Sequence, residues 1–511
     1  MSNVNLPQIL HFWSTRWPNR IAINCNGQEY TWGWLRERSE RVAAGLMRAG
    51  LVKGDRIGIL MHNRIEFVEA ILGALRAGVT VTLLNIRLTP REMCHPVVDA
   101  KLSLVLTDAR LAGSLVEARE RVPGLAVYSV DPLEGLPNFD ELREREHSPP
   151  AVDLDSSDVA LICYTSGTTG FPKGAMLTHG NIREGALSTS IASGLTYNDR
   201  LLISLPLAYT WGTCQYLRES IVLGATATII EPTSDPDTLI DVLERDQIGV
   251  WSTPPVLFER IAASKRFASA DFSHLHHVVT GGPSLHLLKA WQAKGVKLVQ
   301  AYGMTETAGH VTLLFPDDAQ RKRGSSGRAL MNVEIRIVAE DGNECKPGEP
   351  GEIRVRGPCV MKGYVNNPTE TANTMDGPWL RTGDTGVLDE EGYLTVVDRS
   401  KDMLKSGGLC VYPAEIERVL AGVRGLEEFA VIGVKDERWG EVPIIVTHSS
   451  LDVDFEALRA RCEVELAGYK RPQFLVQHPA ALPRTVSGKI MKRELRLAYP
   501  VAPPEARRLK E

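Results

Sequence analysis

The chain is short of the features that mark several protein classes. Its 511 residues contain eight cysteines, Cys25, Cys94, Cys163, Cys214, Cys345, Cys359, Cys410 and Cys462, each standing alone with no C-x-x-C pair. That spacing argues against a zinc site and against a disulfide scaffold, and predicts reduced thiols in a cytoplasmic protein. No apolar run approaches the roughly 18 residues of a membrane span. Met1 to Arg20 lacks the basic-then-apolar pattern of a secretory signal. There is no basic excess either: 58 Lys and Arg stand against 63 Asp and Glu, a formal charge of −5. A nucleic acid is therefore excluded as the expected main partner. Repeats and low-complexity linkers are also missing.

What is present is an ordinary globular composition, 43% hydrophobic and 24% charged, in a chain too long for one hydrophobic core. Two domains are expected. Over the first three hundred residues, short apolar runs alternate with helical patterns. Arg56 to Leu60 reads as a strand, Ile65 to Ala77 as a helix, Val79 to Leu84 as the next strand. Leu102 to Thr107 followed by a helix over Ala112 to Arg121 continues the series, as does Gly249 to Thr253 with the helix after Pro255. Strand–helix–strand order predicts a parallel sheet with helices on its faces. Beyond Arg323 the texture changes to strands at Glu334 to Val338, Gly351 to Val355 and Gly392 to Val397, with turns such as Asp341-Gly342-Asn343 between them. The tail then reads helix (Pro413 to Leu420), two strands (Glu428 to Val434, Val442 to Thr447), helix (Phe455 to Leu466) and strand (Gln473 to Val476). The expected fold class is α/β: a large N-terminal domain of stacked sheets with helices, 1–398, and a small mobile α+β C-terminal domain, 399–511.

Chemistry concentrates first in Thr165-Ser166-Gly167-Thr168-Thr169-Gly170-Phe171-Pro172-Lys173-Gly174, which follows a predicted strand, Val159 to Tyr164. Glycines let backbone approach a polyanion, hydroxyls and exposed N–H groups donate to phosphate oxygens, and Lys173 adds charge. The string is not a Walker loop, because Gly174 follows Lys173 where Ser or Thr is required. A hairpin tip with no ligand is the competing reading, and the length of the string favours phosphate.

This string resembles the phosphate-loop signature of the adenylate-forming superfamily, which includes acyl- and aryl-CoA synthetases, peptide-synthetase adenylation domains and luciferases. Five more segments stand in that superfamily's order: Tyr302-Gly303-Met304-Thr305-Glu306-Thr307, Tyr364 with Asn367-Pro368, Arg381-Thr382-Gly383-Asp384, Asp398-Arg399-Ser400-Lys401-Asp402, and Pro483-Arg484-Thr485-Val486-Ser487-Gly488-Lys489. Together they span nearly the whole chain and most resemble fatty-acyl- or aryl-CoA synthetases. The resemblance implies that Tyr302 and Gly303 border the adenine, that Thr305 donates to the α-phosphate, and that Glu306 ligates a phosphate-bound Mg²⁺. It implies that Gly281 and Gly282 pass beside the nucleotide and that Asp384 and Arg399 hold the ribose. It makes Lys401 the hinge, with a solvated linker charge as the competing reading. Lys489 becomes the catalytic lysine that contacts carboxylate and phosphate, stabilising charge as pyrophosphate leaves. Trp439, Tyr469 and Arg471 are implied CoA contacts, against a core Trp and a helix-end cation, and Gly407-Gly408 resembles the turn lining the pantetheine tunnel.

The acid pocket is expected around Ser204 to Gly212. There Tyr209 stands where the superfamily segment often carries histidine, a departure from the pattern. Tyr209 and Trp211 are candidate walls, with Thr280, Met304, Ala308 and His310 beside them. An amino-acid substrate would need a carboxylate for its ammonium, and Ala208, Tyr209 and Thr210 supply none. The implied activity is an acid–CoA ligase acting on an apolar acid (fatty, alicyclic or aryl) through acyl-AMP, with ATP and CoA as substrates, in a monomer or homodimer. The rival readings are loading of a carrier-protein pantetheine, luciferase-like oxygenation, and a non-catalytic nucleotide-binding homologue.

Overall fold

The computed structural model describes residues 3–509 apart from 144–148, 166–171, 282, 284, 400–401, 403, 407–408, 437–438, 467 and 485–489. The chain divides into two compact units: 1–335 with 355–380, and 336–354 with 381–511.

The first unit is a mixed α/β body with two sheets. One has the strand order Gly363–Tyr364, Lys173–Thr178, Val159–Thr165, Thr80–Leu83, Arg56–Leu60, Leu104–Thr107, Ala126–Ser129. Its inner strands are parallel, as the strand–helix–strand pattern predicts, with Ile57 beside Val81 on one side and Leu104 on the other. Buried Ile, Val and Leu fill these strands because helices cover the sheet, so their sequences read as continuous apolar runs. The helix Ile65–Arg76 ends one residue before the expected Ala77. The expected helix over Ala112 to Arg121 is instead a 3-10 turn, Ala112–Leu115, leading into a short helix, Val116–Arg121. Gly113 and Ser114, both poor helix formers, sit in the 3-10 part.

In the second sheet of this unit, Arg200–Ile203, Val250–Ser252, His277–Thr280 and Leu298–Met304 run parallel in that spatial order, and Gly309–Leu314 turns back antiparallel. One face packs on an aromatic core in which Trp251, Phe258 and Trp291 are wholly buried, ring centroids 4.9 to 5.1 Å apart. Asn63 ties the two sheets together. Its amide donates to the carbonyls of Leu205 and Ile230 (both 2.9 Å) and accepts from the Leu207 amide at 2.7 Å.

The second unit holds Tyr393–Arg399 and most of the strands Gly351–Arg356 and Trp379–Leu388 in its upstream part. Downstream lies a sheet built on Phe429–Asp436, Gly440–Thr447 and Phe474–Gln477. Alternation in these strands is clean. Val431, Ile445 and Leu475 join one core with the helices Pro413–Leu420 and Phe455–Glu465. Ile432, Ile444, Val446 and Val476 join the other with Leu495. Residues Asp398 and Arg399, at the expected domain boundary, complete a strand, since the ladder to Thr385 and Asp384 runs that far. The helix Lys492–Ala498 was not foreseen. Among the described residues, no helix is long and apolar enough to cross a membrane.

Two buried histidines give the first unit a defined response to acid. Burial lowers His179 and His277 from the ordinary 6.5 to about 4. Between those values the unfolded chain binds protons that the native chain refuses. The stability that these two neutral imidazoles contribute is therefore intact above pH 6.5, falls as pH drops toward 4, and levels off below. Thermal midpoints measured from about pH 7 to about pH 5 should decline, and His179→Gln should make the decline shallower; an unchanged slope counts against the assignment.

Candidate active site

The phosphate-loop string is the connection of a β-hairpin. Val159–Thr165 and Lys173–Thr178 pair antiparallel, Thr165 opposite Lys173 and Tyr164 opposite Gly174. Ser166, Gly167, Thr168, Thr169 and Gly170 lie outside the described residues, so the structure places only the two ends of the loop. Those ends are tightly fixed. Thr165 Oγ1 donates to the Lys173 carbonyl at 3.4 Å, and the Pro172 carbonyl lies 2.7 Å from His95 Nε2. Tyr164 Oη donates to Asp99 at 2.6 Å. Gly174 is required sterically: a methyl there would lie 2.7 Å from Val365 Cγ1 and 2.8 Å from Ile162 Cγ2.

On the outer side of the hairpin, Gly363–Tyr364 adds a short antiparallel strand, with Tyr364 beside Ala175. This pairing gives Tyr364 two tasks. Its ring lies under the Lys173 ammonium, 5.5 Å from Nζ to centroid. Its hydroxyl donates to Glu306 Oε1 at 2.8 Å. Burial and the neighbouring Glu306 carboxylate push the phenol's pKa upward, so it stays protonated and remains a donor. Lys173 in turn forms an ion pair with Glu370 on the helix Pro368–Thr374. Lys173, Tyr364 and Glu306, drawn from three distant stretches of sequence, thus form one contiguous group.

Glu306 occupies a 3-10 turn, Thr305–Thr307, at the carboxyl end of Leu298–Met304. Open α/β sheets present ligands at the carboxyl ends of their strands, and the Thr280-Gly281 junction lies at the end of the neighbouring strand. Glu306 is only 6% exposed, and its carbonyl accepts from the Met361 amide at 2.8 Å. Gly303, next to Tyr302, allows the turn: a methyl there would lie 2.0 Å from the Gly309 carbonyl. Thr307 closes the turn, its hydroxyl accepting from the Met304 amide at 3.1 Å. Thr305 Oγ1 reaches Thr210 Oγ1 at 3.1 Å, which joins the turn to the pocket segment. Among the described residues, a methyl on Gly281 would meet nothing nearer than the Ala301 carbonyl at 4.0 Å. Gly282 lies outside the described residues.

A divalent ion fits this setting in one way. Among the described residues, no group of three or more His, Cys, Asp or Glu side chains could hold a metal. Glu306 offers one hard oxygen donor, which suits Mg²⁺ carried on substrate phosphates and not an all-protein cage.

Around the expected acid pocket, Tyr209 Oη donates to Asn85 Oδ1 at 3.2 Å, and Trp211 Nε1 donates to Ser252 Oγ at 2.9 Å. Thr280 is buried, and among the described residues its hydroxyl has no hydrogen-bond partner. His310 is buried, pushed down to about 3 by desolvation with Arg218 next in effect, so it is neutral. Met304 is partly buried, and Ala308 takes the left-handed conformation, φ +51°.

In the second unit, Asp384 and Arg399 are paired positions of one antiparallel ladder. Asp384 is buried, and its amide donates to Thr382 Oγ1 at 3.1 Å. Trp439 is 43% exposed, at the turn between two strands. Arg471 caps the helix Phe455–Glu465, with Nε on the Leu466 carbonyl and Nη2 on the Glu463 carbonyl, both at 3.0 Å. That is the helix-end cation of its competing reading. Lys401, Gly407, Gly408, Lys489 and the side chains of Arg399 and Tyr469 lie outside the described residues. Sequence reasoning named Tyr364 only as part of a motif and missed Glu370 and Asn85. No local pattern marks residues whose role comes from pairing across the sheet.

This geometry can be set beside known proteins. The model of the AMP-binding enzyme family matches residues 10–365, and that of the AMP-binding enzyme C-terminal domain matches residues 415–489. A feruloyl-CoA synthase from Amycolatopsis sp is 35% identical over 486 residues, 94% of this chain and 96% of its own. A 2-succinylbenzoate–CoA ligase from Geobacillus kaustophilus is 36% identical over 487 residues, 94% of this chain and 96% of its own. The structure of o-succinylbenzoate CoA synthetase from Bacillus subtilis in complex with its acyl-adenylate intermediate resembles this one with a TM-score of 0.87 at 31% identity, over 97% of this chain and 99% of that one. The same enzyme with ATP and magnesium gives 0.86 at 31%, over 96% and 99%. A family model that covers most of the chain, and relatives that align from end to end, agree with the hairpin loop and the buried glutamate: this protein belongs to the AMP-binding enzyme family.

Proposed function

We propose that this protein is an ATP-dependent acid–CoA ligase that makes acyl-CoA, AMP and pyrophosphate from an apolar carboxylic acid. The carrying observation is the Lys173–Tyr364–Glu306 group, which sets a cation and a buried carboxylate at the foot of the phosphate loop. In the first half-reaction a carboxylate oxygen attacks the α-phosphorus of ATP. The bond to pyrophosphate breaks and acyl-AMP forms. Glu306 would hold Mg²⁺ on the phosphates, and when bound the ion neutralises their charge. Tyr364 keeps the Glu306 carboxylate aimed. Lys173 exchanges Glu370 for phosphate when ATP enters. Thr305 donates to the α-phosphate, Asp384 and Arg399 hold the ribose, and Lys489 stabilises the leaving pyrophosphate.

In the second half-reaction the domain 399–511 turns about Asp398–Lys401. The CoA thiol loses its proton and attacks the acyl carbonyl, the bond to AMP breaks, and AMP leaves. Exposed Trp439 supplies a face for the CoA adenine. Arg471 would have to leave its helix-end carbonyls to pair with phosphate, so Trp439 is the stronger CoA contact. Ala208, Tyr209 and Thr210 offer no partner for an ammonium, which favours an acid without an α-amino group. The named relatives act on aryl acids, and Tyr209 with Trp211 suits an aryl or similarly flat acid.

CoA-dependent AMP formation across benzoates, cinnamates, cyclic acids and short to long fatty acids tests this reading. Activity is expected with aryl acids, and pyrophosphate release with none of the panel would sink it. Lys489→Ala should abolish acyl-AMP formation yet spare thioester formation from supplied acyl-AMP; equal loss of both steps would remove Lys489 from its role. Tyr364→Phe should slow pyrophosphate release about tenfold or more, the cost of losing a hydrogen bond to a buried carboxylate. Its Mg²⁺ requirement should rise, and an unaltered Mg²⁺ titration would count against the orienting role.

A further inference from the structure

Behind the Glu306 turn lies a buried ion pair that the reaction above does not use. Arg218 and Glu219 open the helix Arg218–Leu223 and are 3% and 1% exposed. Arg218 Nε donates to Glu219 Oε1 at 3.0 Å, and Nη1 donates to the carbonyl of Ala308. Ala308 and Gly309, at φ +51° and +126°, form the step that carries the chain from Thr305–Thr307 into the strand Gly309–Leu314. Two glycines leave room for the guanidinium. A methyl on Gly185 would fall 2.5 Å from Nη1, and one on Gly309 would fall 2.8 Å from Nη2. Gly185 belongs to the helix His179–Ser193, which continues directly from the phosphate-loop strand Lys173–Thr178. The guanidinium therefore sits where the loop's following helix, the helix after the pocket segment and the Glu306 turn all meet.

As a stabilising device this pair is poor. Two charges taken out of water cost more than their attraction returns unless every polar atom is satisfied. Here Arg218 Nη2 lies 2.9 Å from the same Glu219 Oε1, and Glu219 Oε2 makes no hydrogen bond among the described residues. Burial pushes the Glu219 carboxyl up to about 7 in spite of Arg218. An apolar pair would serve packing better. What the pair does supply is direction: a planar donor aimed at one carbonyl two residues past Glu306.

We infer that Arg218 is a positioning residue for adenylation, fixing through the Ala308 carbonyl the turn that presents Thr305 and Glu306. The inference rests on the ligase reading but is tested apart from it. Arg218→Lys keeps a charge opposite Glu219 and loses the planar fork. Binding of Mg-ATP, measured by calorimetry with no acid present, should weaken ~tenfold. Pyrophosphate release should fall ~tenfold to ~hundredfold, and half-saturating Mg²⁺ should rise. Thioester formation from supplied acyl-AMP should be unchanged. Gly185→Ala, which crowds Nη1 from a helix outside the proposed binding machinery, should give the same pattern. The double variant should be no worse than the worse single one, because both remove the same hydrogen bond. A lowered thermal midpoint with wild-type Mg-ATP affinity and adenylation rate would overturn the inference. If Arg218→Lys does not fold, Gly185→Ala decides on the same readouts. A wild-type chain that releases no pyrophosphate with any acid sinks the ligase reading, while the calorimetric comparison still decides on Arg218.

Discussion

A carboxylate buried to 6% exposure must be paired, and the pairing chosen for Glu306 organises its surroundings. Its partner is the hydroxyl of Tyr364, brought there only because Gly363–Tyr364 pairs with the strand that leaves the phosphate loop. The same tyrosine ring carries Lys173. One residue therefore sets a cation and an anion at the base of the loop, and the strand pairing fixes their spacing. The Tyr364 hydroxyl donates to the carboxylate, while Glu370 balances the lysine.

The left-handed step at Ala308 and Gly309 is the second constraint. The turn Thr305–Thr307 must leave the sheet and re-enter it within a few residues, and that requires a backbone few residues adopt. Thr307 closes the turn from inside, Met361 holds the Glu306 carbonyl, and Arg218 holds the Ala308 carbonyl from behind. The last two of these contacts join segments far apart in the chain. The strain is local, and the elements that hold it are spread over the whole first unit.

Much of this protein can be read without coordinates. Continuous apolar runs at Arg56–Leu60, Thr80–Leu83 and Leu104–Thr107 specify buried parallel strands, because only a sheet covered on both faces tolerates them. The apolar runs at Glu428 to Val434 and Val442 to Thr447 likewise read as strands, and in the structure each face of that sheet has its own core. The phosphate-loop string and the Thr305-Glu306 pair are local in sequence, so their chemistry is legible from residue type and spacing. Helix ends and the 3-10 turn at Ala112–Leu115 were less legible, since weak propensities there give way to packing.

The sequence by itself determined the class of chemistry: a glycine- and hydroxyl-rich loop, an acidic residue after a strand, and an Asp and an Arg in two downstream motifs. Tertiary structure alone decided how those groups are held. Tyr364 as the bridge, Glu370 as the lysine's partner, Asn85 on the Tyr209 hydroxyl and Arg218 behind the turn all act across strand pairings and helix contacts. The physical reason is that hydrogen bonds and ion pairs are satisfied in space, between residues 58 to 197 positions apart in these cases, and no local pattern in the chain records which distant group will supply the partner.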